Sequence, residues 1–215
     1  MGAAELHTAS NKLTIESIIV VYGLSATPAL AMQLAEEIET LWNEPNATIL
    51  LQGRTYQVEF TIKGQYRPDL PELEVLQNTD PRNNYFRIEE YVEGNISFVD
   101  GLGCNTGFFK LENLYPGSTT AAHEYGHTLG LDHPAYLDIR GQGVPGIMYP
   151  RGTLVDAPYQ YDPTKPAGVT GGTMHPMHRR VRAEDIASLQ LHRLPYQSGK
   201  AIAGAFTNIY HWPHQ

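Results

Sequence analysis

The chain has 215 residues, 41% of them hydrophobic and 18% charged, which suits one globular unit with a core and excludes a disordered chain. Its net charge of −8 argues against nonspecific binding to nucleic acid or anionic lipid, because an acidic surface is repelled by both. The single cysteine, Cys104, excludes an internal disulfide and leaves the redox compartment open; it reads as a small residue in a Gly-rich turn rather than a nucleophile.

The first predicted element is a strand over Thr14–Tyr22, whose apolar run Ile18–Tyr22 suits burial on both faces. That run is too short to span a bilayer, and no signal peptide is visible before it. Thr27-Pro28 reads as an N-cap and first helical position, and Leu30, Leu34, Ile38, Leu41 and Trp42 recur at helical spacing, so a helix is expected over Pro28–Trp42. Thr48–Leu51 and the alternating Tyr56, Val58, Phe60 and Ile62 form a predicted hairpin about Gly53. Tyr66–Asn84 reads as a loop and Phe86–Val92 as a strand. Ile96–Val99 and Phe108–Leu111 flank a turn-rich segment and suggest an antiparallel edge strand returning into an inner one. A helix is predicted over Ser118–Leu129, stopped at Gly130. The stretch from Asp132 to Arg180 is irregular, and a last helix is expected over Arg182–Leu194.

The chemistry concentrates in His123-Glu124-Tyr125-Gly126-His127-Thr128-Leu129-Gly130-Leu131-Asp132-His133. On a helix His123 and His127 are one turn apart and face the same way, so they can take two corners of a tetrahedral zinc site. Glu124 is rotated around the helix from the first ligand, within reach of a water at the metal. Gly130 permits positive φ, which lets the chain swing back and offer His133 as a third nitrogen. Three protein ligands leave one position open, the arrangement of a catalytic zinc.

These residues resemble the metzincin signature, His-Glu-x-x-His-x-x-Gly-x-x-His with a downstream Met-turn, to which Gly146-Ile147-Met148-Tyr149-Pro150 is similar. Met148, which taken alone could be an ordinary core methionine, would then lie beneath the ligands. Leu129-Gly130-Leu131, Met148-Tyr149-Pro150 and Arg182-Ala183-Glu184-Asp185-Ile186 look most like matrixin catalytic domains. Pro134 follows the third ligand as in serralysins, whereas Pro150 stands where serralysins and astacins carry a tyrosine near the zinc.

The resemblance implies an α+β, zincin-like fold: a twisted mixed sheet of five strands with one antiparallel edge, a backing helix, an active-site helix, and a smaller irregular C-terminal lobe ending in a helix. The expected division is a tail over 1–12, one catalytic domain over 13–196 (upper lobe 13–130, lower lobe 131–196), and a tail over 197–215. The implied activity is zinc-dependent endopeptidase, with one Zn²⁺ on His123, His127 and His133 and Glu124 as general base. Structural zinc or calcium is not evident. An extended peptide or protein substrate is expected to pair along the edge strand near Ile96–Asn105, with Tyr149, Pro150 and Arg151 as candidate pocket residues. A protein inhibitor is a further conceivable partner. Nucleic acid and membrane are not expected as partners, a monomer is expected, and the resemblance favours a secreted or extracellular setting.

Two other functional readings stay open from sequence: the protease domain of a secreted toxin or effector, and a zinc-holding noncatalytic interaction domain. The presence of Glu124 speaks against the second. His175 and His178 read as loop histidines or a second metal site, and His211 and His214 as tail residues.

Overall fold

The computed structural model describes residues 1–214, and its architecture is organised around one long central strand. Strands are β1 (Gly2–His7), β2 (Lys12–Tyr22), β3 (Thr48–Leu51), β4 (Arg54–Tyr66), β5 (Asn83–Glu89), β6 (Phe98–Val99), β7 (Thr106–Lys110) and β8 (Lys200–Ala203). Helices are α1 (Pro28–Asn43), α2 (Glu72–Leu76), α3 (Thr120–Thr128) and α4 (Ala183–Ser188). The main path of the sheet runs β3-β4-β2-β5-β7-β6. β2 is parallel to β4 and β5, and β5 is parallel to β7; the edges β3 and β6 are antiparallel to their neighbours.

The fold is mixed α+β, as expected, but among the described residues the sheet has eight strands rather than five. The main path alone has six, and the other two come from the two ends of the chain. β1 pairs with the first half of β2, beside β5 on the same edge, and β8 then pairs with β1. The segments 1–12 and 197–215, expected as tails, therefore contribute strands. Both strands are short and include residues such as Glu5, Lys200 and half-buried alanines, so neither carries a hydrophobic run that marks it as sheet.

The core lies between the sheet and helices α1 and α3. Thr27 caps α1, its Oγ1 accepting from Leu30 N at 3.1 Å, and the face carrying Leu30, Leu34, Ile38 and Trp42 is buried against β4 and α3. Trp42 is the hinge of this packing. Its Nε1 donates to Ala122 O at 3.0 Å, and its ring meets Phe60 and Tyr125 at 5.3 and 5.7 Å. Tyr125 shares a buried hydrogen bond of 2.8 Å with Ser17 on β2, which fixes α3 to the central strand.

Residues 204–214 form a strap over the other face of the sheet. Asn105 Oδ1 accepts from the backbone of Thr207 and Asn208, Tyr210 stacks on Tyr22 at 5.2 Å, and His214 lies over Phe108 at 4.1 Å. His211 donates to Asp100 at 3.0 Å, so both late histidines have packing roles. The expected loop 66–84 contains the short helix α2, whose Val75 fills a second cluster with Val20, Tyr22, Leu70 and Tyr85. The last predicted helix is shorter than its pattern: α4 ends at Ser188 because Gln190 turns left-handed at φ 48°, and a 3-10 turn follows at Leu191–Arg193. No helix among the described residues is long and apolar enough to cross a membrane.

Candidate metal centre

Helix α3 starts from a strained position. Thr119 has φ 56°, a region costly for a β-branched residue, and its hydroxyl compensates by donating to Pro176 O at 2.8 Å and accepting from Arg179 Nε at 2.9 Å. Thr119 gives the helix no side-chain cap; instead Ser118 Oγ accepts from Thr120 N, and Glu37, reaching across from α1, accepts from Ala122 N at 3.4 Å. The helix ends in a Schellman turn. Gly130 has φ 97°, its N–H bonds to His127 O at 3.0 Å, and Leu131 N bonds to Gly126 O at 3.0 Å. That turn brings His133 back over the helix, where Asp132 Oδ1 accepts from its backbone N–H at 2.7 Å.

His123, His127 and His133 thereby converge, and they are the one group of three or more such side chains gathered at metal-binding distances among the described residues. His123 Nε2 is 3.0 Å and His127 Nε2 is 3.2 Å from His133 Nε2. The tautomers follow from the other side of two rings. His123 Nδ1 faces Ile147 O at 2.7 Å and His127 Nδ1 faces Leu131 O at 2.7 Å. A carbonyl only accepts, so both Nδ1 atoms carry the proton and both Nε2 atoms are bare lone pairs. His133 Nε2 has at most one proton to give, so at least one lone pair is left without a donor. A cation satisfies all three. Nitrogens of a tetrahedral zinc site lie roughly 3.3 Å apart for bonds of about 2.0–2.1 Å, close to the two separations observed. Burial, the largest cause for each ring, pushes all three imidazoles below their usual pKa, which favours the neutral form that ligates.

A turn at Gly146–Pro150 passes below the histidine cluster. Met148 is buried directly under α3, where a Cβ on Gly126 would collide with its Sδ. The preceding Ile147 is the residue whose carbonyl orients His123. Asp185 accepts from Arg182 N at 2.8 Å, so it caps α4, away from the histidine cluster.

Glu124 is buried and lines the cleft beside His123 and His133. Burial pushes its carboxyl up to about 8, against the opposing pull of Arg179 and Arg151. Of the candidate pocket residues, Pro150 and Arg151 line the cavity with Glu124, whereas the Tyr149 ring packs on the lower-lobe cluster of Ile139, Val155 and Met174. Tyr149 instead offers its carbonyl, which accepts from Arg179 Nη1 at 3.2 Å. His175 caps a 3-10 turn, its Nδ1 accepting from Met177 N at 3.2 Å; with His178 it joins no metal-binding group among the described residues. Arg179 and Glu37 are site residues that sequence reasoning missed. Arg179 sits in an aperiodic run, and Glu37 lies on the polar side of a helix expected only to back the sheet.

No protein-family model and no curated protein matches this chain. Several solved structures resemble it, among them two that align over most of its length. Archaemetzincin from Methanopyrus kandleri matches at 12% identity and TM-score 0.42, over 82% of this chain and 95% of that one. A chain from the structure of a chaperone–substrate complex matches at 14% identity and TM-score 0.44, over 85% of this chain and 34% of that one.

Proposed function

We propose that the protein is a zinc-dependent endopeptidase of the metzincin type, with a matrixin-like cleft, His123, His127 and His133 as metal ligands and Glu124 as general base. The observation that carries this reading is the facing of three Nε2 atoms, two of them bare by tautomer, onto an open cleft that also holds an uncommitted carboxyl. Zinc fits that donor set, being the usual metal of neutral imidazole ligands with one position left open, and when bound it would polarise a peptide carbonyl and acidify a water.

The chain's own residues supply the rest. Ile147 O and Leu131 O hold the two helical imidazoles in the ligating tautomer. Glu124 would take a proton from the attacking water and return it to the leaving amine. The unpaired edge of β6, which bonds only to β7 among the described strands, offers backbone groups to an extended peptide. A cleft that pairs with backbone suits a protein or peptide substrate, and we infer that the monomer suffices because all these groups come from one chain.

The test is metal analysis combined with peptidolysis on one sample. One zinc per chain, with activity lost to a chelator and restored by added zinc, is the expected result. Peptidase activity that persists in excess chelator would rule the reading out.

A further inference from the structure

The cleft has two unlike halves that meet at His123, Glu124 and His133. Toward the far end of β6 lies a cavity of about 290 Å³ walled by Phe98, Val99 and Leu102, with Asp132 on its rim. On the other side lies a cavity of about 260 Å³ lined by Asn95, Ile96, Asn113, Arg151 and Arg179. Glu124 is the one acidic residue that the second half contains, against two arginines.

Neither arginine has a carboxylate partner within 4.0 Å among the described residues, although other cations of this acidic chain do. Arg179 is 3% exposed and immobilised, giving one N–H each to Thr119 Oγ1, Tyr149 O and Ser118 O, all of them neutral acceptors. A guanidinium has five N–H donors, so these bonds leave some donors unspent, and the Glu124 and Glu37 carboxyls act on its charge only from beyond ion-pair distance. Arg151 is exposed at the mouth of the cavity. A buried cation with no carboxylate bonded to it, behind an exposed one, makes a half-cavity of positive potential, which a carboxylate would relieve through paired charge-assisted hydrogen bonds.

Direction follows from the edge strand. A peptide laid antiparallel on β6, the commoner pairing, runs from the Leu102 end toward Ile96. Its residues after the bond to be cut then enter the arginine half.

We propose that Arg151 and Arg179 form a subsite that selects aspartate or glutamate immediately on the carboxyl side of the cleaved bond. This rests on the endopeptidase reading above, and the experiment separates the two. Zinc-loaded full chain is profiled on a random peptide library, then on a matched pair of peptides with Glu or Gln at that one position. Binding of the same pair is measured by calorimetry on the zinc-loaded Glu124→Gln protein, which reads recognition without turnover. Acidic residues should be enriched at that position, and the Glu peptide should lead by roughly tenfold or more in both kcat/KM and affinity. Arg151→Gln should shrink that lead, and Arg151→Glu should transfer the preference to Lys and Arg; both changes are at an exposed side chain and should leave the fold intact. Cleavage without an acidic preference at that position, or equal binding of the two peptides, would overturn the subsite and leave the peptidase reading standing. No cleavage of any library member by zinc-loaded protein would overturn both.

Discussion

Replacing Gly126 with alanine sets two effects of opposite sign against each other. In a helix interior the change should gain about 1 kcal/mol from backbone entropy. At this position the new Cβ would run into Met148 Sδ and lie 3.2 Å from Trp42 Cζ2. Met148 is 4% exposed and Trp42 is fully buried and pinned by its bond to Ala122 O, so neither has open space to move into. Overpacking of this kind costs about 1–3 kcal/mol, which leaves a net loss near 1 kcal/mol. Met148→Ala alone should cost about 2–5 kcal/mol as a buried truncation. In that background the main collision is gone, and Gly126→Ala should become neutral or stabilising. The assay is urea unfolding of the four chains in metal-free form, so that zinc linkage does not enter. A coupling energy of about 1–3 kcal/mol is expected. A full stabilisation by Gly126→Ala in the otherwise unchanged chain would show that the helix is not seated on Met148 as described.

Other predictions address the parts that hold the site. Glu37→Ala should cost about 0.5–2 kcal/mol, because it removes the carboxylate that caps α3 from α1. Burial raises the Glu37 carboxyl, so its charged form opposes folding: the cost is absent below the unfolded value of about 4.3 and grows as pH rises through the folded one. Glu37→Gln should therefore flatten the stability–pH curve upward from about pH 4, and an unchanged slope would contradict that assignment. His133→Ala should lose zinc, whereas Asp185→Ala should keep zinc and lose stability, since Asp185 caps α4. Metal content of the two purified variants decides this, and full zinc in His133→Ala would overturn the ligand set.

The motif was legible because its logic is local. His123 and His127 are set by helical spacing, and Gly130 alone dictates the return of His133. The edge strand at Phe98–Val99 and the helix Pro28–Asn43 also announced themselves through periodicity and capping. What stayed hidden depends on contacts distant in sequence. β1 is a strand because β2 offers it a free edge, β8 because β1 offers the next one, and nothing in Gly2–His7 or Lys200–Ala203 marks them. Arg179 reaches the cleft through a loop with no period, and its role shows only once Thr119, Ser118 and Tyr149 surround it. The direction of the Tyr149 ring, which packs on Ile139, Val155 and Met174, is likewise not written in the sequence of a turn.

The division of labour between the three histidines and Glu124 is the centre of the account, and Glu124→Gln tests it most directly. The substitution keeps the volume and removes the proton acceptor, and Glu124 is not among the converging nitrogen donors. Zinc content and peptide hydrolysis are measured on the same purified variant. The expected result is one zinc per chain with kcat lowered roughly 10²-fold or more. A variant that hydrolyses peptides at the original rate, or that loses its zinc, would contradict the account.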